Sequence, residues 1–174
     1  KRWDIWLKSE HGSSHGHADL GHISAKRDGS WLLVDPGTGT YNGPLHIRNG
    51  FRTSNAHNVL RINGADQLEP HRAFRWQRSP WGATGTPLNP HPGSPDADIL
   101  WSVNDAYAHL DGIGRSARAI FPSGDSLVII DWTESTGEFD FDLSVPLAAG
   151  TDVSTLDFSI SRGEWATTEA QEEP

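Results

Sequence analysis

The sequence predicts an all-β protein, two packed antiparallel sheets in a supersandwich-like β-sandwich. Three observations carry the prediction. Apolar runs of strand length recur between turn signals, eighteen glycines and eleven prolines punctuate them, and eight tryptophans accompany a scarcity of helix-favouring runs. A length of 174 residues suits one domain with a sizeable core.

The elements follow in chain order. Residues 1–10 read as a frayed lead-in from an upstream domain that the chain lacks, residues 11–165 as the β-sandwich domain, and residues 166–174 as a disordered tail. LGHISAKRDG alternates apolar and polar positions and ends on Asp28-Gly29, a favoured hairpin pair. SWLLVDPG follows, a short apolar run closed by Asp-Pro-Gly, so residues 20–35 predict a hairpin with Asp35 at its end. HNVLRINGADQ repeats the pattern, with His57 opening the strand and Asn63-Gly64 as its turn. Residues 79–98, SPWGATGTPLNPHPGSPDAD, read as a long Pro/Gly-rich loop. DILWSVNDAYAHL, RSARAIFPSGD, SLVIIDWTE, FDFDLSVPL and STLDFSISRG are then strand-length runs with polar turns between them.

Composition narrows the function. With no cysteine, neither a disulfide nor a thiolate zinc site is possible. No run approaches the roughly 20 apolar residues of a membrane span, and no signal peptide is visible. The chain has no methionine, even at its start, and so reads as a piece of a longer polypeptide. A net charge of −9 argues against nucleic acid as a partner, because such binding rests on neutralising phosphates. The charge is uneven: residues 48–78 hold six arginines against Asp66 and Glu69, whereas residues 124–174 hold twelve carboxylates and only Arg162. The arginine-rich stretch suits an anionic ligand, and equally a set of solvated surface arginines.

Four histidines fall within HGSSHGHADLGH, residues 11–22. His15 and His17 are two apart, which on an extended segment puts both on one face. Two imidazoles and a carboxylate suit zinc and its neighbours, and Asp35 and His57 are the strand-end residues able to complete such a set. Each has an ordinary reading too: a hydrogen-bonded surface histidine, or an aspartate shaping the turn before proline. Parity puts His22 opposite His17, which favours a structural or exposed role over support of the site. His11, His46, His71, His91 and His109 receive no role. Trp76 and Trp81 flank the long loop and read either as core or as platforms for a sugar ring.

HGHADLGHISAKRDGSWLLVDPGTGTYNG, then RNGFRTSNAHNVLRINGADQ, then YAHLDGIGRSARAIFPSGDSLVIID, resembles the C-terminal β-sandwich of the heparinase II/III-type polysaccharide lyases, block by block and in order. The resemblance covers roughly residues 10–145. It implies a missing N-terminal helical toroid as the other wall of a cleft, and β-elimination at a uronic acid of an acidic polysaccharide. It implies that His15 is the catalytic histidine facing the substrate carboxylate, and that His17, Asp35 and His57 hold a structural zinc ion that fixes the cleft loops. Arg52 and Asn58, in the same block as His57, become candidates for substrate binding or for support behind the ligands.

Tyr41 and Tyr107 map to no family role, and DPGTGTYNG departs from the family's usual DPGT followed by an apolar residue. The proton-transfer residues are expected in the missing domain, so the fragment alone is expected to be inactive. A periplasmic or extracellular location follows only from the resemblance. Two other readings stand beside it. One is a non-catalytic carbohydrate-binding or structural β-sandwich. The other is a cupin-type metalloenzyme, in whose glutamate's neighbourhood Asp19 and His22 fall.

Overall fold

The computed structural model describes residues 2–8, 15–72, 74–85 and 99–155. The first sheet has the order β1 (Trp3–Leu7), β2 (Ile23–Arg27), β3 (Ser30–Leu33), all antiparallel. The β2–β3 turn is the expected one: Asp28 and Gly29 sit at φ 51° and 82°, the paired positive values of a type I′ hairpin. Residues 3–7, read as part of a frayed lead-in, instead form β1, paired with β2 along their whole length. Trp3, Ile5 and Leu7 pack inward against the core, a period of two that anchors the strand.

The chain then turns into α1 (Leu45–Arg52) and a single 3-10 turn (Ser54–Ala56). This helix was not foreseen, because its amphipathicity is inverted. Arg48 and Arg52, four apart on one face, are buried, while Leu45 and Ile47 are 55% and 43% exposed. His57 therefore ends the 3-10 turn rather than opening a strand, and β4 covers only Leu60–Ile62. The Asn63-Gly64 turn is as expected, with φ 52° and 69°. Two short strands follow, β5 (Pro70–Arg72) and β6 (Arg75–Trp76), paired with each other.

The second sheet has the order β10-β9-β8-β7, from β7 (Gly82–Gly85), β8 (Leu100–Asn104), β9 (Ile113–Ser123) and β10 (Ser126–Ser135). β7 lies inside the stretch read as one long loop, where four small residues, Gly-Ala-Thr-Gly, carry little strand signal. The rest of that loop, residues 86–98, lies outside the described residues, as do most of STLDFSISRG and the whole of the expected tail. β11 (Phe141–Leu143) pairs with β4. The sandwich core forms where Ile23, Ala25 and Leu33 meet Ile120, with Leu100 and Ile129 packed against them. Among the described residues, no helix is long and apolar enough to cross a membrane.

Residues 15–22 lie between the sheets as a loop, not a strand. Residues 17–22 are nevertheless buried, so their backbone polar groups need partners inside the protein. Ala18 N–H donates to the Arg52 carbonyl (2.8 Å), and the Ala18 carbonyl accepts from Ser54 Oγ (2.8 Å). Leu20 is gripped by the Gln67 amide, which accepts its N–H (2.8 Å) and donates to its carbonyl (2.9 Å). Arg118 Nη1 donates to the Gly21 carbonyl (2.9 Å), while Arg118 also pairs through two nitrogens with Asp131 (2.7 and 2.8 Å). Ile23 is held the same way by Asn58, at 2.8 Å in both directions.

Replacing Gln67 with Ala leaves the Leu20 N–H and carbonyl buried without their partners, at a cost of about 3 kcal/mol. Chemical denaturation of Gln67→Ala against the parent should show that loss as a lower midpoint at unchanged slope.

Candidate metal centre

The stapled loop delivers His17 and Asp19, the end of β3 delivers Asp35, and the residue after the 3-10 turn delivers His57. One potential ligand atom from each of these four lies within 4.8 Å of the others. His17, Asp19 and His57 are buried, and Asp35 is partly open to solvent, with a 36% exposed side chain. Three of the four are the sequence-derived candidates His17, Asp35 and His57. Asp19 is the addition, and its spacing of two from His17 was the available signal.

The hydrogen bonds assign the lone pairs. His57 Nε2 lies 3.2 Å from the Phe51 carbonyl, which can only accept, so Nε2 carries the proton. Its Nδ1 then presents a lone pair, has no hydrogen-bond partner among the described residues, and lies 3.4 Å from Asp35 Oδ2. Two electron-rich atoms that close repel unless a cation lies between them. Asp19 repeats the pattern: Oδ2 is paired with Lys8 Nζ at 2.6 Å, while its buried Oδ1 has no hydrogen-bond partner among the described residues. The open lone pairs of His57 and Asp19, with His17 and Asp35 beside them, therefore fit a divalent metal ion.

Asp35 is placed for both of the roles that the sequence leaves open to it. Oδ1 accepts the Gly37 N–H at 2.7 Å and shapes the Asp-Pro-Gly turn, while Oδ2 faces the histidines.

His22 needs correcting. It is not on the far side of a strand but buried beside the cluster, its ring edge-on to His57 at 5.3 Å. The parity argument failed because the backbone at residues 15–22 is not extended. His22 Nδ1 accepts the Asn58 backbone N–H (3.3 Å), so the neutral ring turns Nε2–H toward Asp35 Oδ2, 3.6 Å away. Burial lowers its pKa to about 4, with Asp35 opposing and His57 assisting. His17 is shifted down as well, chiefly by burial.

The other candidates lie outside the cluster. His15 is exposed, its ring 4.7 Å from Phe74 and 6.4 Å from Tyr41. Arg52 is fully buried with its guanidinium 4.1 Å over Trp76, and Nη1 donates to the Arg72 carbonyl. Asn58 is likewise buried and occupied with Ile23, touching the cluster only through His22. Tyr107 is spent on structure, donating to the Leu60 carbonyl at 2.9 Å. Trp81 is 52% exposed, near Arg115.

A family model described as Heparinase II/III-like, C-terminal matches residues 7–172. No curated protein matches the chain.

Metal analysis of the purified chain should find about one divalent ion per molecule, and Asp35→Asn or His57→Ala should remove it. At a hundredfold excess of metal over Kd, the ion should stabilise the fold by about 3 kcal/mol, read as a higher melting temperature than in chelator. The chelated protein should lose stability on acidification. The unfolded chain binds protons at His22 below pH 6.5, whereas the folded one resists until about pH 4. Stability is therefore full above pH 6.5 and falls as pH approaches 4, by on the order of 3 kcal/mol from His22. His22→Gln should flatten that slope.

Proposed function

Because the chain belongs to the heparinase II/III-like C-terminal family, a domain of polysaccharide lyases, we propose that it forms the β-sandwich wall of a cleft that cleaves an acidic glycan by β-elimination. The observation that carries the reading is the division of the H-G-H pair. His15 is exposed against Phe74 and Tyr41, while His17, two residues on, is buried among the ligand atoms. One histidine lies at the surface, where substrate can reach it, and the other is turned into the site's interior.

The reaction removes the proton at C5 of a uronate. Its electron pair forms the C4–C5 double bond, the C4–oxygen bond breaks, and the departing oxygen takes a proton. Negative charge accumulates on the uronate carboxyl along the way, so a donor placed there lowers the barrier. His15 supplies that donor, as a hydrogen bond or a proton. The base and acid for C5 and the leaving oxygen belong to an upstream helical toroid.

His17, Asp35 and His57 would hold a structural zinc ion, with an Asp19 carboxylate oxygen within reach. When bound, zinc supplies positive charge that locks the two loops behind the cleft. Arg52 and Asn58 act from behind: Arg52 through its carbonyl on Ala18, and Asn58 through Ile23 and His22. Large uronate polysaccharides are met outside the cytoplasm, which favours a periplasmic or extracellular setting.

The test is His15→Ala in the full-length polypeptide. Elimination, followed by ultraviolet absorbance of the unsaturated product, should fall about a hundredfold or more, with metal content and melting temperature unchanged. Full activity in that variant would sink the role given to His15.

A further inference from the structure

The outer face of the first sheet carries a grouping that the elimination chemistry leaves unused. Strand parity turns Trp3, Ile5 and Leu7 of β1 into the core and Trp6 outward. The irregularity in the β2–β3 pairing between Ala25 and Lys26 sets Trp31 directly opposite Lys26. Trp6 and Trp31 are 50% and 47% exposed, with ring centroids 5.2 Å apart and planes tilted by 40°. Lys26 Nζ lies 4.5 Å from the Trp31 centroid and 5.9 Å from that of Trp6. Three adjacent strands thus present two half-exposed indoles around one ammonium.

Half-exposed indoles leave apolar area in water, which is costly unless something covers it. The ammonium sharpens what that something is. Among the described residues, Lys26 has no carboxylate partner; Asp4, its neighbour across β1–β2, is taken by Arg2 at 3.1 Å. A second copy of the chain is a poor fit, because a two-fold contact through this face would bring two Lys26 ammoniums together. An anionic sugar fits all three groups. Its C–H face stacks on an indole and its carboxylate or sulfate meets the ammonium.

The patch is also continuous with the metal end of the sheet. His22, Ser24 and Lys26 are successive same-face positions, and Ser24 Oγ lies 3.5 Å from His22 Nε2. At roughly 3.3 Å per residue, the Lys26 backbone lies about 13 Å from that of His22, within the span of one bound oligosaccharide.

We propose that Trp6, Lys26 and Trp31 form an auxiliary subsite for an acidic sugar unit, distinct from the His15 side of the cleft. The choice of an acidic glycan rests on the lyase reading; the stacking and the cation stand without it. Affinity electrophoresis of the full chain through gels containing heparin, polygalacturonate or alginate, with dextran as the neutral control, reads the binding. At least one acidic glycan should retard the chain and dextran should not. Trp6→Ala and Trp31→Ala should each weaken binding about five- to tenfold. Lys26→Gln should weaken it and flatten its salt dependence, and Lys26→Arg should restore both.

Lys26→Gln removes no apolar anchor, so it stays readable if a tryptophan variant melts early. Three results would overturn the proposal: no retardation in any acidic gel, retardation unchanged in all three loss variants, or a change of mass in sedimentation for Trp31→Ala. A chain that keeps its retardation while the full-length polypeptide eliminates no uronate would leave the subsite standing and the lyase reading fallen.

Discussion

Everything at the metal end depends on satisfying the backbone of one buried, irregular loop. Residues 17–20 precede the point where the chain joins the first sheet, where Lys8 pairs with Gly21 and His22, so no ladder pairs their amides and carbonyls for them. Unpaired, each such group costs on the order of 1–3 kcal/mol, enough in sum to unfold a marginal domain. Ser54, Gln67, Asn58 and Arg118 are the solution, each reaching from a different part of the chain to the loop. The helix end contributes as well. Two carbonyls of the last turn of α1, Phe51 and Arg52, which have no partner within a helix, receive His57 Nε2–H and Ala18 N–H.

That arrangement explains why the sequence motifs are spaced as they are. FRTSNAHN holds Arg52, Ser54, His57 and Asn58; NGADQ ends in the Gln67 that grips Leu20; GRSAR contains Arg118. Separated in sequence, these blocks converge because each carries at least one partner for HGHADLGH and the residue after it. The ligands themselves are a minority of the convergent residues, and most of the chemistry in the blocks is scaffolding for the loop.

The sequence made the two-residue turns and the general architecture legible, because Asp-Gly and Asn-Gly have few other uses between alternating runs. It also made His17, Asp35 and His57 legible through the family resemblance. It hid α1, since a helix that buries arginines and exposes Leu45 and Ile47 contradicts the pattern by which helices are found. Arg48 lies 4.4 Å over Phe74 and 5.0 Å over Tyr41, and Arg52 over Trp76, so aromatic faces replace the aliphatic neighbours expected of a buried helix face. His22 and Asp19 were hidden for another reason. Their positions depend on the path of a loop, and a path set by side chains from distant blocks leaves no local period to read.

The loop's staples also bear on what a metal does here. None of the groups that hold residues 18, 20, 21 and 23 is a candidate ligand, so the loop's path does not require an ion. This differs from small zinc domains, where metal binding supplies the folding free energy outright. In this site the donors are already assembled, and the strain of assembly lies in His57 Nδ1 facing Asp35 Oδ2 at 3.4 Å. A cation between them turns that repulsion into attraction while leaving the backbone where it is. A bound cation would therefore tighten a centre that lies two residues along the chain from the exposed His15.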